Sequence, residues 1–262
     1  MGILNCTPDS FSDGGLLDSV DAVVARAEEM VRAGADLLDF GGESTRPGAV
    51  PIPSELQIHR VIPALSEVRA RLNVTCSIDT TSATVASAAL DAGATMVNDV
   101  SAGRFDPDLL PLVARTGAAV VLMHMQGTPQ TMQVSPAYAE VVRDVKSFLR
   151  DRAEIAIKAG VSRDRIVIDP GIGFGKSVEH NLDLLARQRE FLDLGYPLLI
   201  GTSRKGFIGH VINEPDPARR QFGTAATICW AVTNGCGIVR VHDVGEMSQV
   251  VRMTQEIMAR LR

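Results

Sequence analysis

The sequence predicts an α/β fold of the (β/α)8 TIM-barrel class, one closed ring of parallel strands spanning 1–262 as a single domain. Three observations carry that prediction. Eight short apolar runs recur along the chain, stretches of helical length separate them, and a glycine repeatedly stands between a helical stretch and the run that follows. Strands alternating with helices mean a parallel sheet with right-handed crossovers, and eight such units favour closure over an open doubly wound sheet.

The runs fall near 2–5, 36–40, 74–79, 95–98, 119–123, 165–169, 197–201 and 237–241. They are continuously apolar rather than alternating, as strands covered on both faces should be. Seven helical segments lie between them, and 243–261 supplies an eighth. The junction glycines are Gly34, Gly93, Gly117, Gly160 and Gly235. A helix end commonly requires a residue with positive φ, which glycine adopts without steric cost. The first strand is a stub, because the chain begins almost inside it.

Composition narrows the function classes. The 262 residues carry a net charge of −5 with 45% hydrophobic residues, enough for a sizeable core and a poor match to a nucleic-acid surface. The apolar runs are far shorter than a membrane span, and no basic-then-apolar leader precedes Gly2-Ile3-Leu4-Asn5. The four cysteines form no CxxC pair and have no histidine at zinc-ligand spacing. Together these features predict a reduced, cytoplasmic enzyme with small-molecule substrates.

In such barrels chemistry gathers where strands end. Polar residues terminate the predicted strands in turn: Asn5, Asp39, Asp79, Asn98-Asp99, His124, Asp169, Ser203-Arg204-Lys205, and finally Arg240 with His242. Any one of them alone is equally well a helix cap or a turn former. The loops after strands seven and eight, a common phosphate site in barrels, carry Arg204, Lys205, Arg240 and His242, with Gly201-Thr202-Ser203 offering backbone N–H groups ahead of a short helix. Opposite them, Asp79, Asn98 and Asp169 are acceptors that suit a planar ring rich in N–H donors. An anionic tail on a nitrogen heterocycle satisfies both halves.

Two loops are long for strand-to-helix connections and suit lids. One is Thr7-Pro8-Asp9-Ser10-Phe11-Ser12-Asp13-Gly14-Gly15, the other Gly41-Gly42-Glu43-Ser44-Thr45-Arg46-Pro47-Gly48. The stretch Asp169-Pro170-Gly171-Ile172-Gly173-Phe174-Gly175-Lys176 resembles a phosphate loop but lacks the GxxxxGK[ST] spacing, so a Walker reading is rejected.

These two loops, the first together with the Gly2-Ile3-Leu4-Asn5-Cys6 that precedes it, and the 169–176 stretch, with Ser77-Ile78-Asp79-Thr80, Val97-Asn98-Asp99-Val100, Leu122-Met123-His124-Met125-Gln126-Gly127, Ser203-Arg204-Lys205 and Arg240-Val241-His242-Asp243, resemble the dihydropteroate synthases of folate synthesis. The resemblance runs through essentially the whole chain, in order. It implies a barrel that joins 4-aminobenzoate to 6-hydroxymethyl-7,8-dihydropterin diphosphate and releases diphosphate. It places Asp79, Asn98, Asp169 and Lys205 around the pterin, with Met123, Gly173 and Phe174 lining that pocket and Gly201 and Ser203 beside the ring. Asn5, Arg240 and His242 would hold the diphosphate, Asn5 also as a Mg2+ ligand. Thr45, Arg46 and Pro47, with Phe11 and Asp13 from the other lid, would complete the aminobenzoate site. A homodimer is implied by the resemblance alone. Phe11 and Pro47, with no insertion around Phe11, favour a sulfonamide-sensitive site.

Two departures stand out. Gly206 follows Lys205 where some members carry a hydroxyl, and Cys6 follows Asn5 where an aliphatic residue is commoner. Competing readings are a methyltetrahydrofolate-binding methyltransferase barrel, which has no reason to keep Asn5, Arg240 and His242 together, and an inactive pterin-binding paralogue.

Overall fold

A computed structural model describes residues 1–6, 20–46 and 48–261. Its strands are β1 (Gly2–Asn5), β2 (Leu37–Gly41), β3 (Thr75–Asp79), β4 (Met96–Asp99), β5 (Ala119–Met123), β6 (Ile166–Asp169), β7 (Leu199–Ile200) and β8 (Ile238–Val239). The first six form one parallel sheet in sequential order, and β7 pairs with β8. Single parallel bridges, Ile168 to Leu198 and Gly2 to Val241, join the two sheets at both seams. At the second seam Ile3 N donates to Val241 O and Val241 N to Met1 O, each at 3.0 Å. The short first strand therefore closes a complete TIM barrel.

Strands β7 and β8 are shorter than their apolar runs predict. Pro197 has no N–H to give the ladder, although its carbonyl accepts from Ile168 N at 3.0 Å, and the pairing with β8 lies beyond it, with Ile238 N donating to Leu198 O and Arg240 N to Ile200 O. The helices are α1 (Val20–Arg32), α2 (Ser54–Arg71), α3 (Ala83–Asp91), α4 (Leu109–Thr116), α5 (Val141–Lys158), α6 (Val178–Ala186), α7 (Gly206–Val211), α8 (Gln221–Thr233) and α9 (Val244–Met258). The connection from β7 to β8 thus holds two helices where one helical segment was expected, the first being the short helix behind Lys205. The five junction glycines all have positive φ, from 69° at Gly117 to 102° at Gly34 and Gly93.

Strand alternation, hidden in the sequence because both faces are apolar, governs the interior. Leu38, Phe40, Cys76, Ile78, Val97, Val120, Leu122, Ile166, Ile168 and Ile200 face the helices and belong to the large core between barrel and helix ring. The alternate residues face inward. Met96, Val121, Val167 and Leu199 form a separate apolar layer inside the ring, against Met1, Leu37, Ala119 and Ile238. One step up, the inward positions become Asn5, Gly41, Asp79 and Asn98, aligned across neighbouring strands, and Met123 aligned with Asp169. A packed apolar floor under a polar layer makes the upper end of the barrel a site rather than a pore.

Candidate active site

The polar layer opens into a cavity of about 430 Å³ lined by Asp79, Asn98, Met123, Asp169, Phe174, Gly201, Ser203, Lys205, Arg240 and His242, with Ile3 and Val100. A second cavity of about 580 Å³ adjoins it across Asp79 and Val100, and Glu43, Ser44, Thr45, Thr81, Phe105 and Pro129 line it.

The structure brings most of the expected residues together. Thr45 lies in the second cavity rather than the first. Arg46 is exposed, yet near enough for its charge to depress the pKa of His242. Gly173 lies behind the wall, its would-be Cβ 2.9 Å from Lys205 Cδ. Asn5 stands at the rim beside Gly41, and no partner for its side chain exists among the described residues. Phe11, Asp13 and Pro47 lie outside the described residues, so the first lid and the tip of the second have no structural account.

The charges are wired together in a way spacing did not show. Arg240 donates from Nε to Asp39 Oδ2 at 2.6 Å and from Nη2 to Asp79 Oδ2 at 2.7 Å. Burial pushes the Asp79 carboxyl up to about 7, Arg240 pulls it back, and the neighbouring carboxylate of Asp39 adds to the rise. Asp169 is also pushed up by burial, countered by Lys205 and by the hydrogen bond that its Oδ1 accepts from Gly171 N at 2.7 Å. Burial in turn lowers Lys205 to about 8, while Asp169 holds it up. The Lys205 ammonium donates to the Ile172 carbonyl and sits 4.7 Å from the centre of the Phe174 ring. Asp79 and Asp169 thus each face a cation, which opposes the rise that burial imposes on the carboxyl.

The cationic arc is weaker than a count of basic residues suggests. Arg204 is engaged by Asp243, its Nε 3.0 Å from Oδ2. Burial and the charges of Arg240 and Arg204 lower His242 to about 3, so its ring is neutral at physiological pH. Its Nδ1 lies 3.0 Å from Ser203 Oγ, which also accepts from the His242 backbone N–H.

Three strand-end polar residues play other parts. Asp99 points out of the barrel and accepts from the backbone N–H groups of Ser101 and Gly103, bracing a loop. His124 is buried, edge-on to Phe148 with ring centres 4.8 Å apart. Its Nδ1 lies 3.0 Å from Lys176 Nζ, which also donates to the carbonyls of Gly171 and Phe174 at 2.9 Å. Lys176 therefore staples the 170–176 loop and is not a phosphate ligand. A Cβ at Gly171, where φ is +67°, would collide with the His124 carbonyl, so this turn accepts only glycine. Asp39, noted only as a strand end, proves central. Its signal was a carboxylate two residues before the rim position Gly41, hence on the same inward face one layer lower.

This geometry has a match among known proteins: the sequence family described as pterin binding enzyme covers residues 1–242. The chain belongs to that family. The dihydropteroate synthase of Synechocystis sp. is 45% identical over 257 residues, 98% of this chain and 89% of the relative. Among solved structures, Yersinia pestis dihydropteroate synthase with a sulfonamide drug complex has a TM-score of 0.95 at 40% identity, covering 99% of this chain and 94% of that one. The Xanthomonas albilineans dihydropteroate synthase with 4-aminobenzoic acid has a TM-score of 0.93 at 44% identity, covering 99% and 92%. For a pterin binding enzyme, acceptors at the cavity floor and cations on its wall are the expected polarity.

Proposed function

We propose that this chain is a dihydropteroate synthase, condensing 6-hydroxymethyl-7,8-dihydropterin diphosphate with 4-aminobenzoate to 7,8-dihydropteroate and diphosphate. The observation that carries the reading is that Asp79, Asn98, Asp169, Lys205, Arg240 and His242, contributed by five different strand ends, line one cavity. Its relatives are dihydropteroate synthases over nearly their full length.

In this reading the acceptors of Asp79, Asn98 and Asp169 hold the N–H edge of the pterin, against the apolar wall of Met123 and Phe174. The CH2–O bond breaks with its electron pair leaving on diphosphate, and the cation spreads into the ring beside two carboxylates. Arg240 and His242 receive the leaving group. The lone pair of the aromatic amine then forms the C–N bond, and its proton passes to water or diphosphate, so no strong general base or protein nucleophile is needed. The aminobenzoate would occupy the second cavity, with Thr45 in its lining and Arg46 close by.

A magnesium ion fits the rim. No cluster of three or more acidic, histidine or cysteine side chains that would cage a metal exists among the described residues. The Asn5 amide oxygen is a hard neutral donor with no other partner among the described residues, and Mg2+ characteristically takes one or two protein oxygens and completes its shell with water and substrate phosphate. When bound there with diphosphate, the ion would neutralise charge on the leaving group.

We further read the assembly as a homodimer. Phe222 and Trp230 of α8, with Met253 and Ile257 of α9, are exposed apolar side chains on two helices packed together. Such a patch is costly to leave in water. The four unpaired cysteines suit the reducing cytoplasm. No helix among the described residues is long and apolar enough to cross a membrane.

The deciding experiment mixes the full chain with dihydropterin diphosphate, Mg2+ and 4-aminobenzoate and follows diphosphate release with each component omitted. Release and dihydropteroate in the full mixture support the reading. Slow release without aminobenzoate, yielding the water-capture alcohol, supports the dissociative order. No dihydropteroate in the full mixture overturns the assignment.

A further inference from the structure

Beneath the cavity lies a carboxylate that is no part of its lining. Asp39 is fully buried in the middle of β2 and receives three donors, two from other strands and one from the residue that follows β8. Ser77 Oγ of β3 donates to its Oδ1, while Asn98 Nδ2 of β4 at 2.9 Å and Arg240 Nε beyond β8 at 2.6 Å converge on its Oδ2. Two of those donors belong to residues of the cavity wall. We infer that Asp39 is a positioning residue that fixes the hydrogen-bonding polarity of the pterin pocket, holding the Asn98 amide with its oxygen toward the ligand and tethering Arg240 by Nε.

The chemistry follows from what each atom is able to do. An Asn side chain is ambivalent, offering a donor end and an acceptor end that a half-turn about its last torsion exchanges. A carboxylate flanked by an arginine only accepts, so the end of Asn98 that meets Asp39 must be its NH2 group. The oxygen is left for the cavity, where no described residue bonds it. It then joins Asp79 and Asp169 as a third acceptor, a set complementary to a ring edge of N–H groups. The same carboxylate accepts from Arg240 Nε while Asp79 takes Nη2, so Nη1 alone has no described partner. A guanidinium held by two edges presents its third in a fixed direction. Asp39 therefore acts on both halves of the substrate through residues that touch it. This inference rests on the pterin reading above.

The test measures binding of 6-hydroxymethylpterin to the full chain by calorimetry, in the unmodified protein, Asp39→Ala, Asp39→Asn, Asn98→Ala and the Asp39→Ala/Asn98→Ala pair. Asp39→Ala frees the Asn98 amide to turn its donor end to the ligand and should weaken binding about ten-fold or more. Asp39→Asn keeps an oxygen for Asn98 and Arg240 and turns its own NH2 toward Ser77, so binding should stay within about three-fold. In the Asn98→Ala background, Asp39→Ala should cost less than about two-fold more, because the amide it orients is already gone. A merely structural role would leave the affinity of the folded fraction unchanged, or lower it equally in both backgrounds, and either pattern overturns the inference. Should Asp39→Ala fail to fold, the Asn98 side-chain amide signal in the unmodified chain answers the same question. Protection from solvent exchange with and without pterin supports the inference, and free exchange without ligand overturns it. No binding of the pterin by the unmodified chain overturns the functional reading and takes this inference with it.

Discussion

Arg240 lies 2.7 Å from Asp79, so the cation assigned to diphosphate and an acceptor assigned to the pterin ring are bonded to each other before either ligand arrives. The pairing changes what removal of the arginine should do. Arg240→Ala should lower kcat by about 10² to 10³, the usual cost of losing a charged donor at developing negative charge. It should also disturb the ring pocket, because the Asp79 carboxyl, already raised to about 7 by burial, loses the partner that holds it down. The sign is fixed: at pH 6 the carboxyl is protonated and a poorer acceptor, and as pH rises it ionises and pterin binding recovers. Calorimetric affinity for 6-hydroxymethylpterin between pH 6 and 9 checks this. A pH profile in the variant that coincides with that of the unmodified protein would show that Asp79 does not depend on Arg240.

Lys205 gives a second pH signature. Its ammonium is lowered to about 8 by burial, so the cation facing Asp169 is lost as pH rises through that value. The profile of kcat/KM for the pterin diphosphate should fall above pH 8, since that ratio reports ionisations of the free enzyme. Lys205→Arg keeps its charge to far higher pH. The alkaline limb should vanish in that variant, with a lower maximum because a planar guanidinium cannot take the place of an ammonium between the Ile172 carbonyl and the Phe174 ring.

How far the sequence reached is seen by setting residues against their layer. Strand-end positions such as Asp79, Asn98 and Asp169 were legible because polar residues interrupt otherwise apolar runs, and the barrel fold makes each strand end converge. Asp39 was read only as the end of its run and given no part in the site, because it lies inside β2, where only the inward or outward phase of the strand distinguishes a site residue from a core residue. That phase is unreadable when both faces are apolar. His124 and Asp99 show the converse. They end strands as the site residues do, yet Asp99 lies one position out of phase, and His124 lies one beyond the inward-facing Met123. The neutral state of His242 and the engagement of Arg204 by Asp243 were likewise out of reach, because a charge count does not say which charges are already paired. The apolar patch on α8 was invisible for a similar reason, its helix being apolar around most of its circumference.

Lys176 should prove a determinant of fold rather than of chemistry. Its buried ammonium bonds two carbonyls of the 170–176 loop and the ring of His124, and burial lowers its pKa well below the ordinary lysine value. Lys176→Met removes the donor while nearly preserving volume, leaving the Phe174 carbonyl unpaired and the Gly171 carbonyl with only the Phe174 N–H. A loss of about 2–4 kcal/mol in unfolding free energy is expected, as for other buried polar groups deprived of a partner. Pterin affinity should weaken as well, because Phe174 and the turn bonded to Asp169 ride on that loop. Denaturant unfolding and calorimetry on the same preparation measure both. Unchanged stability with lost turnover would give Lys176 a direct chemical part instead.

The last prediction concerns the face opposite in character to the site. Phe222 is 87% exposed on α8 and Met253 61% exposed on α9. Phe222 cannot be there to stabilise the isolated chain, since so little of it leaves water on folding. Covered by a second copy, each such side chain would contribute roughly 1.5–3 kcal/mol of apolar burial. Phe222→Glu and Met253→Glu place like charges face to face across any two-fold interface and should convert a dimer to a monomer. Sedimentation velocity at micromolar concentration reads the change directly. Fold is expected to survive, because neither side chain belongs to the core, and the barrel cavity lies at the strand ends rather than on this face. A variant that still sediments as a dimer would place the interface elsewhere on the helix ring.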